Sequence, residues 1–142
     1  MKSQLSRRQS REQAFLLAFE RNFHTESSVQ SLCETAVEIR DFQIDDFAVH
    51  LLEEIERHEE EINALIEQNA NGWSLKRISK VSLSVLQLAV SELKYTDLSA
   101  VKAENPVSVI INEAVLIAKK YSSDKESAFV NGVLGSISRS KE

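Results

Sequence analysis

The residues best suited to chemistry in this chain are four cationic side chains near its start. Lys2, Arg7, Arg8 and Arg11 stand in the first eleven positions, which hold no acidic residue, although the whole chain has a net charge of −5. Lysine and arginine bind phosphate groups, so the cluster predicts a polyanionic partner. A solvated basic tail without a ligand is the alternative interpretation of the same residues.

Positive and negative charges are segregated along the chain. Residues 12–72 hold three basic and fifteen acidic residues, whereas residues 73–142 hold ten basic and seven acidic ones. Local fields decide binding when the two signs lie on different faces of a protein. The acidic run from Glu53 to Glu67 is interpreted as a solvated helix face, with a basic protein partner as the alternative.

Catalytic motifs are missing from the sequence. It contains no glycine-rich phosphate loop, no His-Glu-x-x-His, no Cys-x-x-Cys and no nucleophile elbow. His50, Glu54 and His58 could share a helix face, but single histidines on an acidic helix are usually solvated. We therefore expect no catalytic residues, no metal and no cofactor, and a protein that is not an enzyme.

Helical periodicity dominates the first half of the chain. Ser6 and Gln9 form a capping box before an apolar face at residues 14–19. A second stripe, residues 29–37, places Cys33 at a core position. Three further features complete this half, namely an N-cap at Asp45, a long third helix that runs to Gly72, and Trp73 folded back over the end of that helix.

The second half repeats the helical pattern. A short helix from about Ser74 to Lys80 leads to a central helix at residues 82–95, which is apolar around most of its circumference. Two further helices begin at Asn105 with Pro106, and at a second capping box formed by Ser123 and Glu126. Gly132 lies inside the last helical stripe and is interpreted as a close contact between helices.

These elements predict an all-α fold of about seven helices in two packed antiparallel bundles. The bundles comprise residues 1–72 and 73–142 and together form one compact domain. No apolar run is long enough to cross a bilayer, and the start lacks the apolar stretch of a signal peptide. The lone Cys33 cannot form an internal disulfide and suits a buried thiol, so a cytoplasmic protein is expected.

Four segments carry a resemblance to a known family. They are S-R-R-Q-S-R-E-Q-A-F, W-S-L-K-R-I-S-K-V followed by V-L-Q-L-A-V-S-E-L, N-P-V-S-V-I-I-N-E-A-V-L-I-A-K-K-Y, and F-V-N-G-V-L. In this order and spacing they resemble the NusB family of transcription antitermination factors. The resemblance is strongest over residues 73–137, whereas residues 25–71 match only in length and helical pattern.

The family implies a non-enzymatic, all-helical protein that acts in the transcription elongation complex. It implies binding of boxA RNA in ribosomal RNA transcripts jointly with NusE, a small-subunit ribosomal protein, and no contact with a membrane. A helical adaptor that binds only protein is the alternative, and the sequence leaves open whether the chain forms a homodimer.

The resemblance also implies RNA-binding positions in both halves of the chain. These are Arg7, Arg8, Gln9, Arg11, Lys76, Lys80, Gln87, Lys120, Tyr121 and Lys125. The ring of Tyr121 suits an unstacked base, as in recognition of single-stranded RNA, although it could equally cap the core. Asn112, Glu113 and Asn131 are interpreted as packing and capping residues.

Three departures from the family pattern affect the expected site. Ser82 stands where an acidic residue is usual, Gln87 where an arginine is common, and Ser91 where a tyrosine is frequent. The position of Ser82 is implied to contact NusE, and the acidic run from Glu53 to Glu67 offers that basic protein an attractive field.

Overall fold

The computed structural model describes residues 5–23, 33, 45–101 and 103–139. Over these ranges the protein is all-helical, with six α-helices, two short 3-10 helices and no strand, which confirms the predicted fold class. No helix in the described ranges is long and apolar enough to cross a membrane. The predicted second helix, apart from Cys33, and Lys2 lie outside the described residues.

Short connections, two of which contain the 3-10 helices, join the five described α-helices from Asp46 onward. The 3-10 helices span Leu75–Arg77 and Leu98–Ala100. The α-helices are α1 (Arg7–Phe23), α2 (Asp46–Arg57), α3 (Glu59–Gln68), α4 (Lys80–Tyr95), α5 (Pro106–Tyr121) and α6 (Asp124–Arg139).

Three predicted helix starts are confirmed by their hydrogen bonds, whereas the central helix begins at Lys80 rather than at Ser82, and the Ser79 hydroxyl that caps it accepts from the Ser82 N–H at 3.1 Å. The backbone N–H of Ser6 donates to Gln9 Oε1 at 2.9 Å, and the N–H of Gln9 donates to Ser6 Oγ at 3.1 Å, so the capping box is complete. The carboxylate of Asp45 accepts from the backbone N–H three residues on at 3.0 Å, and the side chain of Asn105 does the same at 3.1 Å. Each cap satisfies a backbone donor that the helix itself leaves unpaired.

The long helix predicted from Asp45 to Gly72 is instead two helices that meet at His58. His58 leaves the helical conformation, with φ −118° and ψ 26°, and its ring stacks on Tyr95 of α4 at 3.9 Å. The apolar spacing hides this break, because Ile55 and Ile62 are seven residues apart and both are fully buried. The break thus coincides with a ring stack between distant residues, which local periodicity cannot reveal.

The chain turns sharply after α3. Asn71 and Gly72 have φ values of +51° and +86°, in the left-handed region that glycine adopts without steric cost. Trp73 follows, and its backbone N–H donates to the carbonyl of Ala70 at 3.0 Å. Its side chain is 49% exposed and lines a cavity beside α4 and α6, and its folding back over the end of the preceding helix stays a prediction.

The main apolar core receives side chains from all six helices. α4 lies at its centre, as its nearly continuous apolar circumference predicts, and packs against α1, α2, α3, α5 and α6. Every residue from Ser82 to Glu92 is buried. The half-buried Cys33 packs against a smaller cluster of Leu17, Ala18 and Leu52.

Five polar side chains of α4 are buried in this core, and we call them the buried polar set. Each bonds to another helix, since an unpaired buried polar group costs about 1–3 kcal/mol. The set comprises Ser82 with Glu126, Ser84 with Asn22, Gln87 with Asn22 and Asn63, Ser91 with the carbonyl of Leu51, and Glu92 with Arg11.

Gly132 has an unexpected environment. It is exposed on α6, and a Cβ built at this position would meet nothing within 4 Å. The prediction of a close helix contact is therefore wrong, and no packing in the described residues requires the missing side chain.

Candidate nucleic-acid interface

The two exposed arginines at the start of α1 fold back onto the protein. The guanidinium of Arg7 lies over the ring of Phe47 on α2, 3.7 Å from its centroid. Arg8 binds Glu113 of α5, with Nε donating to Oε1 at 3.0 Å and Nη2 to Oε2 at 2.8 Å. The side chain of Arg8 is still 70% exposed, so both arginines combine a protein contact with access to solvent.

Arg11 has a different position from the one predicted. It is only 6% exposed, and its guanidinium forms two hydrogen bonds with Glu92 of α4, at 2.8 and 2.7 Å. The expectation that Arg11 faces RNA is therefore corrected, because its donors hold α1 to α4 inside the fold. Arg7, Arg8 and Arg11 all contact other helices, so this part of the cluster is ordered rather than a free tail.

Gln87 and Ser82 are also inside the protein rather than on its surface. Gln87 is 1% exposed, accepts from Asn22 at 3.0 Å and donates to Asn63 at 2.9 Å. Ser82 is fully buried, and its hydroxyl donates to Glu126 at 2.5 Å. The structure thus corrects the expected roles of Gln87 in RNA contact and of Ser82 in partner contact.

Lys120 and Tyr121 meet α1 at the end of α5. Lys120 Nζ and the Tyr121 hydroxyl both donate to Glu12 Oε2, the former at 2.6 Å. The hydrogen bond from Lys120, and to a lesser extent the one from Tyr121, holds the pKa of Glu12 below its ordinary value. The pKa of Tyr121 is raised, mainly because its side chain is partly buried and also because its hydroxyl donates to Glu12.

The ring of Tyr121 combines both roles considered for it. It packs against Phe15 with centroids 4.9 Å apart, yet it remains 36% exposed. The packed part contributes to the core, and the exposed part is accessible to a ligand.

The starts of α4 and α6 meet through one carboxylate. Glu126 Oε1 accepts from the hydroxyls of Ser79 and Ser82, each at 2.5 Å. Hydrogen bonds from Ser79 and then Ser82 hold the pKa of the Glu126 carboxyl below its usual value. Ser123 accepts the Glu126 N–H at 3.2 Å, so the cap is as predicted, but the Glu126 side chain reaches across to α4.

A cavity of about 420 Å³ opens beside this junction. Lys125 lines it, and Lys76 and Lys80 are the chain neighbours of the lining residues Arg77 and Ser79. All three lysines are exposed and make no ion pair within the described ranges. The lining residues of the cavity are Trp73, Arg77, Ile78, Ser79, Ser123, Lys125, Glu126 and Phe129.

Sequence reasoning missed Trp73, Arg77, Glu126 and Phe129 as members of this region. The adjacent basic pair at residues 76–77 was the one local indication. The meeting of the two helix starts depends on a contact between residues that are 47 positions apart, which no local pattern reveals.

Comparison with known proteins gives consistent matches along almost the whole chain. Residues 8–139 match the model of the NusB family. The transcription antitermination protein NusB of Finegoldia magna is 39% identical over 141 residues, covering 97% of each chain. The corresponding protein of Listeria monocytogenes is 38% identical over 133 residues, covering 94% of this chain and 96% of the relative.

Solved structures agree with these matches. T. maritima NusB superposes with a TM-score of 0.76 at 31% identity, covering 98% of this chain and 93% of that one. A chain from the crystal structure of the antitermination factors NusB and NusE in complex with double-stranded RNA superposes with a TM-score of 0.75 at 30% identity. The match covers 92% of this chain and 94% of that one.

Proposed function

Because the chain belongs to the NusB family, we propose that it binds boxA-type RNA of ribosomal RNA transcripts together with NusE. In this role it acts without catalysis, as an antitermination factor of the transcription elongation complex in the cytoplasm. The similar structure of NusB and NusE with RNA supports both partners. The sequence relatives support the role in antitermination.

The observation that carries this proposal is a group of lysines at one end of the molecule. The Ser79 to Glu126 hydrogen bond brings the starts of α4 and α6 together, and so places Lys80 and Lys125 at the same end. Lys76 precedes α4 in the adjoining 3-10 helix. We call Lys76, Lys80 and Lys125 the basic end, and its positive field attracts a phosphate backbone.

The basic end continues toward α1 along α5. Lys120 and Tyr121 stand four to five residues before Lys125 and contact Glu12 of α1. Arg8 meets Glu113, which lies seven residues before Lys120, or about 10 Å along the helix axis. A strand of RNA that follows this path passes from the basic end, over Tyr121, to the exposed arginines of α1.

The contacts of Arg7 and Arg8 allow them to bind phosphate. The guanidinium of Arg8 is largely exposed, and an ion pair that is open to solvent on one side contributes little to stability, so a phosphate can compete with Glu113 for Arg8. Gln9 stays exposed within the capping box, beside these arginines. Arg11 and Gln87 are excluded from the proposed RNA surface because both are buried.

The exposed acidic residues of α2 and α3 support the proposed protein partner. Their carboxylates create a negative field on helices that are separate in sequence from the basic end, and such a field accelerates association with a basic protein. The exposed members are Glu53, Glu56, Glu60 and Glu61, whereas Glu67 accepts from the backbone N–H of Leu75 at 3.3 Å and so lies beside Lys76.

The proposed function is tested by fluorescence anisotropy. A labelled boxA-like RNA is titrated with this protein alone and in the presence of purified NusE, with a scrambled RNA of the same composition as the control. We expect binding of the boxA-like RNA that tightens when NusE is added, and weaker binding of the scrambled RNA. Sedimentation velocity at several concentrations establishes whether the RNA-free chain is a monomer or a homodimer. If neither RNA binds, with or without NusE, the alternative function applies, namely a helical adaptor that binds only protein.

A further inference from the structure

We propose that Phe47 of α2 is a positioning residue for RNA binding, because its ring holds the guanidinium of Arg7 in place for a phosphate of the RNA backbone. The proposal rests on the proposed function and adds to it a residue from a helix that carries none of the RNA-binding positions discussed above. Phe47 acts through Arg7 rather than by contact with the RNA.

The contact between Arg7 and Phe47 joins the first turn of α1 to the first turn of α2. The central guanidinium carbon of Arg7 lies 3.7 Å from the centroid of the ring, which places it in van der Waals contact with the ring face. The negative face of an aromatic ring attracts a cation at this distance. Arg7 is nevertheless an exposed residue, so the ring directs the side chain without removing it from solvent.

An aromatic ring holds an arginine without using its hydrogen-bond donors. The guanidinium N–H groups point outward in the plane of the group, whereas the attraction to the ring acts on its face. Arg8 and Arg11 instead donate to carboxylates, those of Glu113 and Glu92. Arg7 makes no ion pair in the part of the chain that the structure describes. A phosphate that accepts two of its donors side by side therefore displaces no described carboxylate.

The fold holds the ring of Phe47 in a fixed position. Phe47 is half-buried and packs against the main core. Two residues before it, the backbone N–H of Asp45 donates to Gln13 Oε1 of α1 at 2.8 Å, and both of these residues are buried. The Ser91 hydroxyl of α4 donates to the carbonyl of Leu51 on α2 at 3.2 Å. The start of α2 is thus a rigid support beside α1, and such a support reduces the conformational entropy that an arginine loses on binding.

A double-mutant cycle measures whether Phe47 acts through Arg7. Anisotropy at constant salt gives the affinity for the boxA-like RNA of the parent, Phe47→Leu, Arg7→Gln and the double variant. Phe47→Leu keeps an apolar side chain but removes the ring face, and it is expected to weaken binding about two- to fivefold, as for a cation–π contact at an exposed site. In the Arg7→Gln background the same substitution is expected to leave the affinity unchanged within error. Equal losses in the two backgrounds overturn the proposal.

Two further variants separate positioning from packing. Phe47→Tyr keeps the ring face and is expected to bind RNA as tightly as the parent. Phe19→Leu removes another half-buried ring that packs against the main core, without a described cation on its face, and is expected to leave RNA affinity unchanged. Urea unfolding checks that each variant is folded. A loss of affinity in either variant equal to that in Phe47→Leu overturns the proposal.

Nuclear magnetic resonance of the parent protein tests the same contact without any substitution. Protons above the face of an aromatic ring resonate upfield, so the side-chain protons of Arg7 are expected at upfield positions. They are expected to remain there when RNA is added to saturation, because the phosphate binds the edge of the guanidinium and leaves its face on the ring. A return of these resonances to their ordinary positions shows that Arg7 must leave Phe47 in order to bind, and tighter binding by Phe47→Leu shows the same. Either result overturns the proposal.

The outcomes separate this inference from the proposed function. RNA binding by the parent, with no coupling between Phe47 and Arg7, overturns the positioning role and leaves the function intact. Arg7→Gln is itself expected to flatten the slope of log affinity against log salt by about 0.7. RNA binding with an unchanged slope in this variant also overturns the positioning role alone. Complete absence of RNA binding by the parent overturns both.

Discussion

The guanidinium of Arg11 and the carboxylate of Glu92 form two parallel hydrogen bonds, at 2.8 and 2.7 Å, across 81 positions of sequence. Both side chains are at least 93% removed from solvent. A basic residue in a cluster that resembles an RNA-binding motif therefore joins α1 to α4. The RNA surface depends on Arg11 indirectly, because this pair helps to position the helix that presents Arg7 and Arg8.

Arg11→Met is expected to destabilise the protein by about 3–5 kcal/mol, because it leaves the Glu92 carboxylate buried without its partner. Urea unfolding at pH 7 measures this loss. The double variant Arg11→Met with Glu92→Leu should recover most of it, since no uncompensated charge remains. A single variant as stable as the parent contradicts the buried pair.

Glu113→Gln is expected to strengthen RNA binding by about two- to fivefold, because Arg8 loses a competing carboxylate and becomes available to phosphate. Anisotropy titrations with the boxA-like RNA measure the change. Glu60→Gln removes the same charge from an exposed site on α3, and so controls for the change in net charge. Equal gains in the two variants contradict a specific release of Arg8.

Replacement of Lys76, Lys80 and Lys125 together by glutamine is expected to flatten the slope of log affinity against log salt by about two, at roughly 0.7 per phosphate contact. The double variant Arg7→Gln with Arg8→Gln should flatten it by about 1.4 at most, since Arg11 is buried. Titrations from about 50 to 200 mM salt provide both slopes. If the arginine substitutions flatten the slope more than the lysine substitutions do, the main phosphate contacts lie on α1.

Acidification should weaken the fold in part through Glu126. Its pKa is lower in the folded protein than the ordinary value of 4.5, because the Ser79 and Ser82 hydroxyls bond to the ionised form. The resulting stability is complete above about pH 4.5 and is lost as the pH falls through the folded pKa. Urea midpoints at about pH 7, 5 and 3 should therefore fall less steeply in Glu126→Gln than in the parent. Parallel pH profiles contradict this contribution.

Gly132→Ala is expected to stabilise the protein by about 0.5–1 kcal/mol, because alanine favours a helix interior and its Cβ meets no atom within 4 Å. Thermal unfolding measures the rise in Tm. Gly72→Ala is the contrasting variant, since its φ of +86° is strained for any residue with a Cβ. A loss of stability in Gly132→Ala would restore the close helix contact that the sequence suggested.

Local features of the fold were predictable from the sequence, because their causes lie within a few residues. The capping box of Ser6 with Gln9 and the cap at Asp45 depend on contacts three residues apart, and both are present. The break at His58 coincides with a ring stack on Tyr95, which is 37 positions away and contributes nothing to local periodicity.

The candidate site was harder to predict for the same reason. A motif specifies the type of a residue but not the direction of its side chain, so Arg8 and Arg11 cannot be distinguished from the sequence. Their environments differ because Arg11 is buried against Glu92 of α4, with Glu113 at 4.0 Å, while Arg8 binds Glu113 with its side chain 70% exposed. Only the packed helices distinguish the buried cation from the exposed one.

Because each member of the buried polar set bonds to another helix, a substitution in the set requires a compensating substitution at its partner. An acidic residue at the position of Ser82 would place a second carboxylate within hydrogen-bond distance of Glu126, so a relative with that acid needs a neutral or basic residue at position 126. An arginine at the position of Gln87 needs an acidic side chain at the position of Asn22 or Asn63. Relatives are therefore expected to exchange these residues in matched combinations, and a single exchange transplanted into this chain should be poorly tolerated.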